Sequence, residues 1–129
     1  MYSGLVLDHF RNPRCIGEIG NPDAVGEAKN EADGDHVRLT LRIRDGRIED
    51  ARVQVMGCVA AIASASFFTE WMRGKTPAEA ASLTEAQLAE RMGGLPEHKI
   101  RCSLTCVAAL RNAIAKPDAK SEPAAESRG

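Results

Sequence analysis

The stretch Arg38-Leu39-Thr40-Leu41-Arg42-Ile43-Arg44-Asp45-Gly46-Arg47-Ile48-Glu49-Asp50-Ala51-Arg52-Val53-Gln54-Val55 decides the fold. Leu39, Leu41 and Ile43 alternate with Arg38, Thr40, Arg42 and Arg44, which is the period of a strand with one buried face. Asp45-Gly46 supplies a type I′ turn. Ala51, Val53 and Val55 alternate on the return, with Arg52 and Gln54 outward. Two strands alone are seldom stable in water, so residues Val25 to Glu31 are read as a third, edge strand.

Beyond Gly57-Cys58 the period becomes helical. Val59, Ile62, Ala63, Phe67 and Trp71 recur at steps of three and four, and Gly74 stops the helix. Thr76-Pro77-Ala78-Glu79 is a capping box with proline at the first helical position, and Thr84-Glu85-Ala86-Gln87 is a second box. A last helix runs from about Arg101 to Ala115, with Val107, Leu110 and Ile114 on one stripe. At the other end, Leu5, Val6, His9 and Phe10 make a short helix behind a Ser3 cap, ended by Asn12-Pro13. The polar, glycine-containing stretch up to Gly26 reads as a surface loop. Strands first and helices after predict an α+β domain, a three-stranded antiparallel sheet covered by helices, over residues 1–115. Residues 116–129 carry no hydrophobic side chain larger than alanine and are expected to form a disordered tail.

Composition narrows the function. The 129 residues suit one domain, and 43% are hydrophobic with only 4% aromatic. A core so poor in large rings has to pack alanine-rich helices closely. Seventeen basic and 18 acidic side chains give a net charge of −1, which argues against nucleic acid or an anionic membrane recruited by bulk charge. No apolar run approaches the ~20 residues of a membrane span, and the N-terminus has no basic, apolar leader pattern. A cytoplasmic protein is expected, in which the 4 cysteines are reduced.

Cys58 and Cys102 occupy the same kind of place, each at the start of a helix. The partial positive charge there is expected to ease loss of the thiol proton, and thiolates are what metals and sulfur-transfer reactions use. A free cysteine is also an ordinary small core residue, and the residues alone leave both readings open. Asp33-Gly34-Asp35-His36 precedes the first clear strand. It reads by itself as a polar turn, though its carboxylates and imidazole could reach a site shared with the two thiols. Cys106 lies one turn beyond Cys102, yet its row continues to Leu110 and Ile114, toward the core. Cys15, His36 and His98 read as loop residues.

Met56-Gly57-Cys58-Val59-Ala60-Ala61-Ile62-Ala63-Ser64-Ala65-Ser66 through Thr69-Glu70-Trp71 resembles the central motif of the iron–sulfur cluster assembly scaffolds, the IscU and NifU N-terminal domain family. Asp8-His9-Phe10-Arg11-Asn12-Pro13-Arg14, Gly46 to Arg52 and Lys99-Ile100-Arg101-Cys102-Ser103 resemble the same family, in the same order. The resemblance implies a SufE/NifU-like fold and a scaffold that accepts sulfur from a cysteine desulfurase. Such a scaffold holds iron or a labile 2Fe–2S cluster and passes it to acceptor proteins. Cys58, Cys102 and Asp35 fall on family ligand positions, and Cys102 would be the persulfide acceptor. Asp33 replaces a ligand cysteine and becomes the substitute fourth metal ligand, with Cys106 a weaker candidate. Arg101 replaces a histidine; it cannot ligate, but it can neutralise the thiolates or pair with Asp33.

Carboxylate suits iron–sulfur clusters less well than thiolate, so weak cluster retention is expected, and zinc tolerates the exchange better. A SufU-like zinc-dependent sulfurtransferase is therefore the alternative, although the short separation of Cys58 from Cys102 lacks that branch's insertion. A metal-free paralogue that only binds a desulfurase is the other. Leu95-Pro96-Glu97-His98-Lys99 lacks the second proline and the valine of the segment read by Hsc-type chaperones, which removes the basis for expecting that partner.

Overall fold

The computed structural model describes residues 2–31, 34–96 and 99–115, with Arg101 described in its backbone alone. The expected tail from Pro117, together with Asp33 and His98, lies outside the described residues. Helix α1 is Gly4–Arg11, strands β1, β2 and β3 are Ala24–Asn30, Asp35–Arg44 and Arg47–Met56, and helices α2 to α5 are Val59–Met72, Pro77–Ala81, Glu85–Arg91 and Ile100–Ala115. The sheet has the antiparallel order β1-β2-β3.

The hairpin forms as its alternation dictates. Asp45 and Gly46 both have positive φ, 55° and 75°, as a type I′ turn needs. Val37, Leu39, Leu41, Ala51 and Val53 bury one face of the sheet completely or nearly so. A bulge between Arg42 and Ile43 shifts the register, and Ile48 rather than Ile43 is the fully buried isoleucine at that end. The stretch before β1 is more than a surface loop. Cys15 and Gly17 bond both backbone groups of Val53 on the open side of β3. From there the chain crosses the outer face, where the Ile19 N–H donates to Thr40 Oγ1 at 3.0 Å. Further along β3, Gly74 and Lys75 satisfy Ile48 in the same way. The edge that an isolated hairpin would leave open is covered.

Helix α2 departs from the expected stripe. Val59, Ile62, Phe67 and Trp71 are only half-buried, whereas Ala60, Ala61, Ala63, Ala65, Phe68 and Met72 are fully buried. The reason is position: α1, β3, α4 and α5 all pack on α2, so it is apolar nearly all round. His9 of α1 fixes one of these contacts, its Nδ1 lying 2.8 Å from Ser66 Oγ. Both expected capping boxes, Thr76 with Glu79 and Thr84 with Gln87, are formed.

Helix α5 lies directly on β1. A Cβ built on Gly26 would stand 1.9 Å from the Ala109 carbonyl oxygen and 2.5 Å from the Ala113 nitrogen. Only glycine in the strand and alanines in the helix permit that approach. This contact sets the position of α5, whose first turn carries Cys102.

Candidate metal centre

Three parts of the chain meet at the end of the sheet near the start of α2. Strand β2 begins at Asp35, three residues earlier than the alternation indicates, because β1 pairs with it down to Asn30 opposite Asp35. The residue expected in a polar turn is therefore a strand residue, 2% exposed. Burying a carboxylate is costly unless it is bonded, and Asp35 Oδ1 accepts the Cys58 N–H at 3.1 Å. His36, next in the strand, points to the other face and meets Glu27 Oε1 at 3.2 Å.

Cys58 is the N-cap of α2 but makes no side-chain capping bond, so its sulfur is left available. It lies 3.3 Å from Cys102 Sγ. Cys58 is half-buried and Cys102 is completely buried, so the cluster opens to solvent on the Cys58 side. Donor atoms of Asp35, Cys58 and Cys102 all lie within 4.8 Å of one another. Donors on one tetrahedral ion stand roughly 3.5–4 Å apart, so small side-chain shifts bring these three onto a single ion. Two sulfurs and one oxygen suit zinc or iron and would be poor for calcium or magnesium.

The expectation of two acidified thiols fails at Cys102. Burial pushes its thiol well above the ordinary cysteine range, and the neighbouring Cys58 and Asp35 push in the same direction. Desolvation and nearby negative charge outweigh the field of the helix end. In the metal-free protein this thiol keeps its proton, and a cation must displace it.

Cys106 does not join the centre. Its sulfur is in the main core and its S–H donates to the Ser103 carbonyl at 3.1 Å. Burial raises its thiol to about 12, with a hydrogen bond from Ser64 opposing. The unfolded chain ionises this group near pH 9 and the fold resists until about pH 12, so stability falls as pH rises through that window. Denaturant titrations of metal-free wild type and Cys106→Ala are expected to converge by roughly 1 kcal/mol between about pH 8 and pH 10. Parallel curves would place the titrating group elsewhere. Cys15 lies away from the centre, 3.4 Å from Arg73 Nη1. Asp33 and the side chain of Arg101 are outside what is described. Two residues beside the centre went unnoticed in the sequence, Asn30 and Gly57. Asn30 gives no signal there, whereas the glycine directly before Cys58 could have been read as a close approach.

A family model for the NifU-like N-terminal domain matches residues 1–124. The chain belongs to the NifU N-terminal domain family. Within that family, it is 46% identical over 114 residues to the iron–sulfur cluster assembly scaffold protein IscU 1 of Archaeoglobus fulgidus, covering 88% of this chain and 74% of that protein. It is 41% identical over 125 residues to the iron–sulfur cluster assembly scaffold protein IscU of Escherichia coli K12, covering 94% and 97%. The crystal structure of a nitrogen-fixing NifU-like protein (N-terminal) from Brucella abortus superimposes with a TM-score of 0.74 at 23% identity, covering 92% of this chain and 94% of that one. The NifU-like fold, a three-stranded antiparallel sheet with packed helices, is thus common to both. Among the described residues no helix is long and apolar enough to cross a membrane.

Proposed function

We propose that this chain is a scaffold for iron–sulfur cluster assembly, which accepts sulfur from a cysteine desulfurase and holds iron or a labile 2Fe–2S cluster for transfer to acceptor proteins. The observation that carries this reading is the convergence of Asp35, Cys58 and Cys102, with donor atoms within 4.8 Å. The scaffolds to which the chain is similar over most of its length support it. Asp33 is the fourth ligand in this reading, and Arg101 balances the negative charge.

Sulfur entry follows from exposure. Cys58 is the accessible thiol, so its thiolate attacks the outer sulfur of the donor persulfide, the donor's S–S bond breaks and the donor thiolate leaves. Cys102, 3.3 Å away, then takes the outer sulfur: its sulfur attacks, the Cys58 S–S bond breaks, the Cys102 proton passes to the departing Cys58 thiolate, and Cys102 is the inner persulfide acceptor. The iron or cluster is the cargo of this reaction, and the carboxylate ligands keep it exchangeable.

Anaerobic incubation with ferric iron and sulfide, followed by desalting, tests the reading. A visible chromophore with matching iron and sulfide is expected to form and then to decay within the desalting time. Asp33→Cys is expected to lengthen its lifetime about tenfold, because thiolate is the better cluster ligand. Stoichiometric zinc without sulfide in the purified protein would instead assign a SufU-like zinc sulfurtransferase. Failure to bind iron, zinc or a cluster would leave a paralogue that only docks on a desulfurase.

A further inference from the structure

Resting on the scaffold reading of this centre, we infer that Asn30 and Gly57 are positioning residues that hold the Asp35 carboxylate in place as a metal ligand. Asp35 lies between the last residue of β1 and the end of β3. Asn30 is its partner across the β1–β2 ladder, and the Asn30 side-chain amide donates to Asp35 Oδ2 at 3.4 Å. Oδ1 takes the Cys58 N–H at 3.1 Å. Each carboxylate oxygen thus receives one amide donor, and the Cys102 thiol bonds the same carboxylate. An ionised carboxylate has about four acceptor sites, so the two amide bonds fix its plane and still leave lone pairs for an ion once the Cys102 proton has gone.

Gly57 makes room for that arrangement. A Cβ at this position would stand 2.2 Å from Asp35 Oδ1, 3.0 Å from its Cγ and 3.1 Å from its Cα. The contact with Cα means that rotating the carboxylate away is insufficient; the backbone of β2 would have to shift as well. Any side chain at position 57 therefore drives the oxygen ligand away from the Cys58 N–H. Because Gly57 and Cys58 are adjacent, one short segment supplies a sulfur ligand, the N–H that orients the oxygen ligand and the gap in which that oxygen sits. Outer partners of this kind fix ligand orientation, and their loss commonly costs about 10–100-fold in metal affinity.

The test is an anaerobic cobalt(II) titration of the full chain, read by the thiolate-to-cobalt charge-transfer band, with far-ultraviolet melting curves to follow the fold. Asn30→Leu keeps the side-chain size and removes the donor; Gly57→Ala fills the gap. Each is expected to weaken cobalt binding about tenfold or more, with unchanged band intensity per bound cobalt because both thiolates still ligate. An Asp35→Ala background also removes the carboxylate that a methyl group at position 57 would strike. There, Asn30→Leu should not change affinity by more than about twofold, whereas Gly57→Ala keeps its contact with the residue-35 Cα and its φ of +156° and should lose only the part of its effect that acts through the carboxylate. Wild-type affinity in both single variants would overturn the inference. So would an equal loss with and without Asp35, since that marks a structural role only. Were Asp35→Ala itself to bind cobalt as tightly as wild type, the oxygen ligand of the proposed centre would fall, and this inference with it.

Discussion

Gly26→Ala is expected to destabilise the metal-free protein by about 3 kcal/mol and to lower its melting temperature by about 10 °C. The added methyl meets backbone, the Ala109 carbonyl oxygen at 1.9 Å and the Ala113 nitrogen at 2.5 Å. A flexible side chain could swing aside, but a helix backbone cannot, so α5 and β1 must part along their contact. Separation also breaks the bond from the Asn112 amide to the Glu27 carbonyl, 2.7 Å long. Gly20→Ala is the control. Nothing lies within 4 Å of a Cβ at that position, and its effect should stay within about 0.5 kcal/mol. A Gly26→Ala melting curve that overlays wild type would mean α5 does not rest on β1 as described. Metal affinity should fall together with stability, because α5 carries Cys102.

Cys58→Ala and Cys102→Ala are each expected to weaken cobalt or zinc binding by about 100-fold or more, beyond the range for losing an outer partner. Each removes one of two soft donors from a centre that has a single oxygen to replace it among the described residues. Cys106→Ala and Cys15→Ala should leave affinity within about threefold, as one sulfur is committed to the Ser103 carbonyl and the other lies beside Arg73. Calorimetric titration with zinc under anaerobic conditions separates these outcomes. Equal losses across all four variants would point to a distributed, nonspecific thiol effect and against a centre built on Cys58 and Cys102.

Alternation, turn residues and capping boxes made the hairpin, the short helices and the last helix readable, because these signals act between neighbours in the chain. What escaped depended on tertiary placement. Apart from Ala63, the Val59–Trp71 stripe was only half-buried because four elements surround α2, and a stripe identifies the buried side only when one side is covered. Asp35 read as a turn residue because a carboxylate contradicts strand alternation; its burial depends on the Cys58 N–H, 23 positions away. The motif that held Cys58 was legible, and so was the position of Cys102. The acidity of Cys102 was not, since the helix-end argument is local while desolvation and the charges of Cys58 and Asp35 arrive through the fold. Asn30 could be recognised only once its opposite residue was known.

The three donors belong to β2, the α2 cap and the first turn of α5, so no short contiguous fragment of the chain contains them all. A polypeptide still emerging from the ribosome has one sulfur and one carboxylate before α5 is made, and it lacks the helix that lies across β1. Assembly of the three donors of the candidate centre is therefore open only to a chain extended through the first turn of α5.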